Sequence, residues 1–272
     1  MAIIERPRCC LSQLEICCRT RSRAEQLVAE FGGRVELLPH DWRAHFARAA
    51  KIKPLSIGRR LVILNSGGVR REMARKQQSW PQLIIPAAAA FGTGEHVTTA
   101  MCLRLLEKIS RQWAPEWSML DAGTGSGILA LAAWYFGARN VIAIDYDPRA
   151  VSTAKHNARL NKIRGVRFKI ADALKPKIRR KFDVITANLY SELLIKALPM
   201  FAKYLKADGH VIASGVLREQ ERAVVRALLD HDFLIQDIRR RGKWVALCAQ
   251  KRHKRPVCVD RFARRKLTLL YI

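Results

Sequence analysis

The chain has 272 residues, of which 49% are hydrophobic and 27% charged. This composition is ordinary for a globular protein and excludes a chain that is disordered along its whole length. Its 50 Lys and Arg against 23 Asp and Glu give a net charge of +27, which favours anionic partners such as nucleic acid or a ribonucleoprotein. The longest uncharged stretch, 77–94, is interrupted by Pro81, Pro86 and Gly92, so we expect no membrane-spanning helix there.

Cysteine usage and the first residues indicate the cellular compartment. Seven cysteines are an odd number in a long chain, which argues against a disulfide framework and favours reduced thiols. The adjacent pairs Cys9-Cys10 and Cys17-Cys18 lack the C-x2-C spacing of zinc sites, so no metal site is expected. Glu5, Arg6 and Arg8 stand where a signal peptide would be apolar, and a cytoplasmic location is therefore expected.

The positive charge is distributed unevenly along the chain. Residues 1–90 carry 16 basic and 7 acidic residues (net +9), 91–238 carry 22 and 15 (net +7), and 239–272 carry 12 and 1 (net +11). We therefore expect the excess charge at the two ends. The predicted division is an N-terminal α+β fragment (1–40), a linker with entry strands (41–90), a main domain (91–250) and a basic tail (251–272).

The first ninety residues predict short elements only. Gln13–Arg19 and Arg34–Leu38 are typical of strands on either side of a helix over Arg21–Phe31, a small β-α-β fragment. Two further strands, Leu61–Leu64 and Leu83–Ile85, enclose a basic loop over Arg70–Lys76.

From Ser118 onwards, strands and helices alternate regularly. Such short βα units predict an α/β fold, a Rossmann-like, doubly wound, mostly parallel seven-stranded sheet that ends in an antiparallel hairpin. Expected helices are 100–110, 128–136, 148–161, 193–205 and 219–229; expected strands begin at Met119 and cover 141–144, 166–171, 182–187, 211–216, 233–238 and 243–250.

A glycine-rich turn follows the first of these strands, with the sequence D-A-G-T-G-S-G at 121–127. In a doubly wound sheet, ligands bind at the carboxyl ends of the central strands. The dinucleotide fingerprint G-x-G-x-x-G would place its third glycine at Ile128, which disfavours a nicotinamide or flavin dinucleotide. The spacing is instead that of Rossmann-like enzymes that use S-adenosylmethionine, and it predicts cofactor contacts at Gly123 and Gly125.

Polar side chains end the next three strands. Asp145 stands 22 residues after Gly123, where a carboxylate reaches a ribose diol, although it could instead cap the helix at Pro148. Asp172 is placed to meet the adenine edge or to cap the following turn. Asn188, in T-A-N-L-Y, suits the reacting end of the cofactor.

A second polar segment, A-F-G-T-G-E-H-V-T-T at 90–99, precedes the sheet and is called the lid segment below. It makes a poor core and is typical of a cover over a ligand. Phe91 and Thr93 are expected to contact that ligand, and Thr98 or Thr99 could simply cap the helix from Ala100. His96 could be an ordinary surface histidine.

Together these segments resemble the ribosomal protein L11 methyltransferase family, bacterial protein-lysine methyltransferases that use S-adenosyl-L-methionine. The resemblance runs from Asp41-Trp42 to Lys243-Trp244-Val245. It is carried by the lid segment, D-A-G-T-G-S-G-I-L-A, V-I-A-I-D-Y-D-P, T-A-N-L and S-G-V-L-R-E-Q, in that order.

This resemblance implies S-adenosyl-L-methionine as cofactor, with contacts at Thr99, Gly123, Asp145 and Asn188. It implies a ribosomal protein substrate, L11 or a relative, and we expect a monomer with no membrane partner. In the family an N-terminal α+β domain grips the substrate. Only about forty residues precede the Asp41-Trp42 match here, so 1–40 is interpreted as an abbreviated form of that domain, and the basic ends are expected to meet ribosomal RNA.

Methyl transfer from a sulfonium to an amine needs alignment and a neutral nucleophile, not a metal. The predicted catalytic residues are Asn188 and His96. Asn188 is expected to hold the amine in line with the methyl group, and His96, or alternatively Glu95, is expected to accept the proton. One competing function is an RNA amino-methyltransferase. Such enzymes often have the motif N-P-P-Y at the end of the fourth strand, and the A-N-L-Y of 187–190 has the Asn and an aromatic residue but neither proline. The other is a ribosome- or RNA-binding module without enzyme activity.

Overall fold

The computed structural model describes residues 3–5, 14–16, 20–35, 54–64, 80–86 and 96–252. At the N-terminus, strand β1 (Ile3–Glu5) pairs antiparallel with β2 (Leu14–Ile16), and helix α1 spans Arg21–Phe31. The predicted helix is confirmed. Of the strand expected over 13–19, the described residues Leu14–Ile16 are a strand and have an unpredicted partner. Arg34 and Val35 are irregular, which corrects the start of the strand expected at 34–38, and the rest of that strand lies outside the described residues.

A three-stranded sheet contains the predicted entry strands and one more. Its strands are β3 (Leu55–Ile57), β4 (Leu61–Leu64) and β5 (Gln82–Ile84), antiparallel between β3 and β4 and parallel between β4 and β5. The basic loop expected at 70–76 lies outside the described residues. Buried side chains of this sheet belong to the same hydrophobic cluster as the main sheet: Ile57, Leu61, Ile63, Leu83 and Ile85.

Polar contacts also hold this small sheet to the main domain. The Arg60 guanidinium donates to Ser110 Oγ at 2.8 Å and to the Phe136 carbonyl at 3.1 Å. The Asn161 side chain accepts from the Ile84 N–H and donates to the Ile84 carbonyl, both at 2.7 Å. Residues 54–64 and 80–86 thus share a core with the main domain, whereas the predicted boundaries at 40, 90 and 250 stay predictions.

The main domain is a seven-stranded sheet, and this confirms the predicted α/β fold class. Its strands lie in the order β11-β12-β10-β9-β6-β7-β8. Strands β6 to β10 are parallel, and β12 is antiparallel to both β10 and β11. The strands are β6 (Ser118–Ala122), β7 (Asn140–Asp145), β8 (Val166–Ile170), β9 (Phe182–Asn188), β10 (Leu205–Leu217), β11 (Phe233–Arg241) and β12 (Trp244–Lys251).

Helices cover both faces of this sheet, as a parallel sheet requires. One hydrophobic cluster joins the sheet to the first helices and the small sheet, and a second joins it to the last two helices. The helices are α2 (Val97–Ser110), α3 (Ile128–Tyr135), α4 (Pro148–Leu160), α5 (Ser191–Tyr204) and α6 (Glu221–Asp230). Residues 171–181, between β8 and β9, form no helix. Among the described helices, none combines the length and apolar character needed to cross a bilayer.

Candidate active site

The strand order reverses between β6 and β9, and the candidate site lies at that point. After β6 the chain moves outward through β7 and β8, whereas β9 pairs with the other side of β6 and leads to β10. The carboxyl ends of these parallel strands therefore carry the glycine turn, Asp145 and Asn188 at one edge. This is the position at which ligands bind in doubly wound sheets.

The glycine turn adopts a backbone that other residues tolerate poorly. Gly123, Gly125 and Gly127 have φ values of +74°, +54° and +83°, in the left-handed region where glycine is favoured. The N–H groups of Gly123 and Thr124 both donate to the Ile144 carbonyl at 2.9 Å, which fixes the turn against the end of β7. A Cβ on Gly123 would overlap the Leu189 side chain.

Asp121 is a member of this site that the sequence analysis did not single out. Its carboxylate is 1% exposed and accepts from Thr124 Oγ1 and from Thr186 Oγ1, each at 2.6 Å. Burial raises the pKa of this carboxyl to about 6. Since Thr124 lies in the turn and Thr186 in β9, Asp121 ties together the two strands that flank the switch point. Its position directly before A-G-T-G was the signal available in the sequence.

Asp145 is partly exposed and held by two backbone groups. Gly125 N–H donates to Oδ2 at 2.9 Å and Asp147 N–H donates to Oδ1 at 3.0 Å. Each carboxylate oxygen keeps a further lone pair and can accept from a hydroxyl. The helix-capping alternative belongs to Asp147, which is the N-cap of α4 and accepts from Arg149 N–H at 2.8 Å; that bond lowers the Asp147 pKa.

Asp172 caps the turn after β8, one of the two roles predicted for it. It is exposed, two residues beyond the end of β8, and its Oδ1 accepts from Leu174 N–H at 2.8 Å. The side chain therefore caps the following turn. Its contact with the adenine edge stays a prediction.

Asn188 ends β9 and reaches the first turn of α2. Its Nδ2 donates to Thr99 Oγ1 at 3.3 Å, and Thr99 is 1% exposed. The N-cap of α2 is His96, without a side-chain capping bond, so neither Thr98 nor Thr99 caps this helix. The structure thus brings two predicted cofactor contacts, 89 positions apart in sequence, into hydrogen-bond contact.

Leu189 and Gly215 are further members that the sequence analysis did not identify. Leu189 N–H donates to the Ser214 carbonyl at 3.0 Å, beside a bulge in β10 between Ser214 and Val216. Gly215 has a φ of +84°, and a Cβ there would overlap the Leu189 carbonyl oxygen. Leu189 is therefore enclosed between Gly123 and Gly215, and this fixes the backbone next to Asn188.

His96 stands at the end of the lid segment. Its Nδ1 shares a hydrogen bond of 2.7 Å with Thr98 Oγ1, and its ring makes an edge contact with Trp244 at 5.0 Å between centroids. Burial, and secondarily the charge of Lys243, lower the pKa of His96. The neutral imidazole is therefore favoured near neutral pH. Phe91, Thr93 and Glu95 lie outside the described residues.

The described residues offer neither a cluster of metal ligands nor a reactive thiol. In the ranges that the structure describes, no group of three or more His, Cys, Asp or Glu side chains could hold a metal ion. Cys102 and Cys248 are free and buried, and burial raises the pKa of each thiol to about 12. The paired cysteines at 9–10 and 17–18 lie outside the described residues.

Comparison with known proteins places these features in a family. Residues 17–252 match the family model described as ribosomal protein L11 methyltransferase (PrmA). The protein of that name from Heliobacterium modesticaldum is 36% identical over 231 residues, 85% of this chain and 70% of the relative. The one from Symbiobacterium thermophilum is 38% identical over 213 residues, 78% of this chain and 65% of the relative.

A solved structure agrees with these relatives. The ribosomal protein L11 methylase of Lactobacillus delbrueckii subsp. bulgaricus is 30% identical, with a TM-score of 0.65 over 74% of this chain and 100% of that chain. The aligned stretch spans only about two thirds of the two curated relatives. Since the family model covers most of the chain, the chain belongs to the ribosomal protein L11 methyltransferase family of S-adenosyl-L-methionine-dependent methyltransferases.

Proposed function

We propose that this chain transfers methyl groups from S-adenosyl-L-methionine to amino groups of ribosomal protein L11, as a cytoplasmic monomer. The observation that carries the proposal is the Asn188 amide, held by Thr99 at the switch point beside the glycine turn and Asp145. The names of the relatives, all called ribosomal protein L11 methyltransferases, support the choice of substrate.

The residues of the turn fit this cofactor. In the proposal Asp145 accepts from the ribose hydroxyls, and Gly123 and Gly125 let the backbone approach the cofactor closely. The proposed binding set also includes Thr99, Asn188, Asp172, Phe91 and Thr93. The cofactor supplies a methyl group on a positively charged sulfur, so the protein needs to align an acceptor with it and requires no redox or metal chemistry of its own.

The acceptor amine must approach in line and without a proton. In the proposal the Asn188 side-chain oxygen accepts from the amine and orients its lone pair, while neutral His96 receives the proton released when the N–C bond forms and the S–C bond breaks. The Nδ2 bond to Thr99 sets the orientation of that oxygen. The Trp244 ring, in edge contact with His96, forms an apolar wall that favours the neutral amine.

The N-terminal fragment is the proposed docking site for the protein substrate. Within the described residues, α1 has no buried side chain, and Phe31 at its end is 72% exposed. A protein partner that covered this helix would remove the Phe31 ring from water, which is favourable. The fragment would then position L11 while residues 91–250 perform the transfer.

Lys243 is expected to influence the pH dependence of the reaction. Its charge already lowers the pKa of His96, and the same charge disfavours protonation of a substrate lysine beside it. Lys243→Gln should therefore raise the pH of half-maximal kcat/KM by about 0.5 unit. The pH profiles of wild type, Lys243→Gln and the control Lys196→Gln, an exposed charge on α5, test this. An acid shift, or an equal shift in the control, would contradict the expectation.

The proposed function is tested by methyl transfer from radiolabelled cofactor. Purified ribosomal protein L11 and total ribosomal RNA are offered separately, and the products are digested with nuclease or protease. We expect label in L11 that survives nuclease and is lost on protease treatment. Label in RNA would replace the proposal with the RNA amino-methyltransferase, and cofactor binding without transfer to either would favour the binding module.

A further inference from the structure

The positive charge of the main domain is concentrated in one stretch. Residues 155–181 carry eleven Lys and Arg and a single acidic residue, Asp172, a net charge of +10. The remaining positions of 91–238 carry 11 basic and 14 acidic residues, a net charge of −3. The small net charge of 91–238 therefore conceals a local excess of +10, close to the +11 of residues 239–272.

These basic residues surround the edge of the seven-stranded sheet. Among the strands that the structure describes, β8 is the last of the sheet and pairs with β7 alone. Basic side chains lie on α4, on the turn that follows it, on β8 and on the irregular segment back to β9. In chain order they are Lys155, Arg159, Lys162, Arg164, Arg167, Lys169, Lys175, Lys177, Arg179, Arg180 and Lys181. We call this set the β8 basic surface.

The side chains of the β8 basic surface are free to meet a partner. Ten of the eleven are exposed. The exception is Arg180, which donates to Asn140 Oδ1 at 3.2 Å and lies over the Phe182 ring. Within 96–252 none of the eleven forms an ion pair, whereas Lys108, Arg111, Lys206 and Arg240 each pair with a carboxylate.

Strand alternation explains how β8 presents two of these charges. Val166 and Phe168 pack against the first hydrophobic cluster, so Arg167 and Lys169 project from the opposite face. The segment that leads from β8 to β9, residues 171–181, is irregular, so it places no helix on that face. The two side chains are about 7 Å apart along the strand and lie beside the basic irregular segment.

Protection of a sheet edge does not account for this pattern. Lys and Arg on an edge strand prevent unwanted strand pairing, and that role covers Arg167 and Lys169. The other nine basic residues lie outside the strand. Their mutual repulsion without acidic partners is unfavourable unless an anion neutralises it.

We propose that the β8 basic surface binds the phosphate backbone of RNA, separately from the methyl-transfer site. Ten exposed cations, with Asp172 as the one carboxylate among them, suit an array of phosphates, and such binding is independent of base sequence. An acidic protein would need apolar contacts as well, and the exposed large hydrophobic side chains of 155–181 are only Leu160 and Ile170. The RNA would hold the enzyme near its substrate and is not itself the methyl acceptor.

The test compares two variants with the same loss of charge. Arg164→Gln/Arg167→Gln/Lys169→Gln removes three cations from the β8 basic surface. The control Arg222→Gln/Arg226→Gln/Lys196→Gln removes two Arg and one Lys, all exposed and without ion pairs among the described residues, from α5 and α6. Binding of a fluorescent RNA duplex of about 20 base pairs is followed by anisotropy between about 50 and 200 mM salt.

The β8 variant should bind the RNA duplex at least about 10-fold more weakly at low salt. Its slope of log K against log salt should be shallower by about 2, because each lost phosphate contact removes nearly one unit of slope. The control variant should retain the wild-type slope. Equal weakening by both variants would overturn the proposal, as would competition by polyglutamate as effective as that by unlabelled RNA.

A second variant keeps the test decisive if changes in β8 disturb folding. Lys175→Gln/Lys177→Gln/Arg179→Gln alters only exposed residues of the irregular segment and should weaken RNA binding similarly. Calorimetric binding of S-adenosyl-L-methionine should be unchanged in all variants. Loss of RNA affinity with intact cofactor binding separates this proposal from the methyltransferase function, and unchanged RNA affinity in the second variant would overturn it.

Discussion

Replacing Gly123 by arginine is expected to abolish binding of S-adenosyl-L-methionine while the sheet remains folded. The residue has a φ of +74°, and even a Cβ would overlap the Leu189 side chain. An arginine side chain there would add bulk directly after the carboxyl end of β6, where we propose that the cofactor binds. Isothermal calorimetry should show no detectable heat of binding for this variant.

Gly242→Arg is the matched control for this experiment. Gly242 has a φ of +56° in the turn between β11 and β12, and a Cβ there would meet nothing within 4 Å. Both variants therefore pay the cost of a left-handed backbone, about 1–2 kcal/mol, but only Gly123→Arg adds bulk at the crevice. The control should bind the cofactor with wild-type affinity. Unchanged affinity in Gly123→Arg would remove the glycine turn from the proposed site.

The sequence predicted the main sheet well because its signals are local. Each βα unit from Ser118 contains its own apolar run, turn glycine or helix cap, as at Asp147-Pro148 before α4. Strands β1 and β3 were not predicted, and β2 and β5, which are described over three residues as well, were predicted with other bounds. Three residues are too few to show a clear alternation of buried and exposed side chains.

The candidate site shows the same division between local and distant information. Gly123, Asp145 and Asn188 could be placed together from strand ends alone, since carboxyl ends of parallel strands share one edge. The position of Leu189 between Gly123 and Gly215 could not be predicted in this way, because it depends on two residues that are 92 positions apart. Similarly, the net charge of +10 in residues 155–181 was not recognised from the sequence. The charge was counted over all of 91–238, and the remaining positions of that range carry a net charge of −3.

Removal of the Asn188 side chain should slow the chemical step far more than it weakens cofactor binding. The amide is proposed to orient the acceptor, and misplacement of a reacting group by about 1 Å can cost about 100-fold in rate. Asn188→Ala should therefore lower kcat by about 100-fold, with a much smaller change in calorimetric affinity for S-adenosyl-L-methionine. Normal kcat with a raised KM for the cofactor would instead assign Asn188 to cofactor binding alone.

Thr99 tests whether the orientation of that amide matters as well as its presence. Thr99→Val keeps the shape of a side chain that is 1% exposed but removes the hydroxyl that accepts from Asn188 Nδ2. It should lower kcat in the same direction as Asn188→Ala, though less, whereas Thr99→Ser retains the acceptor and should restore most of the rate. If valine and serine behave alike, the hydrogen bond does not position the amide, and Asn188 must be held by its strand alone.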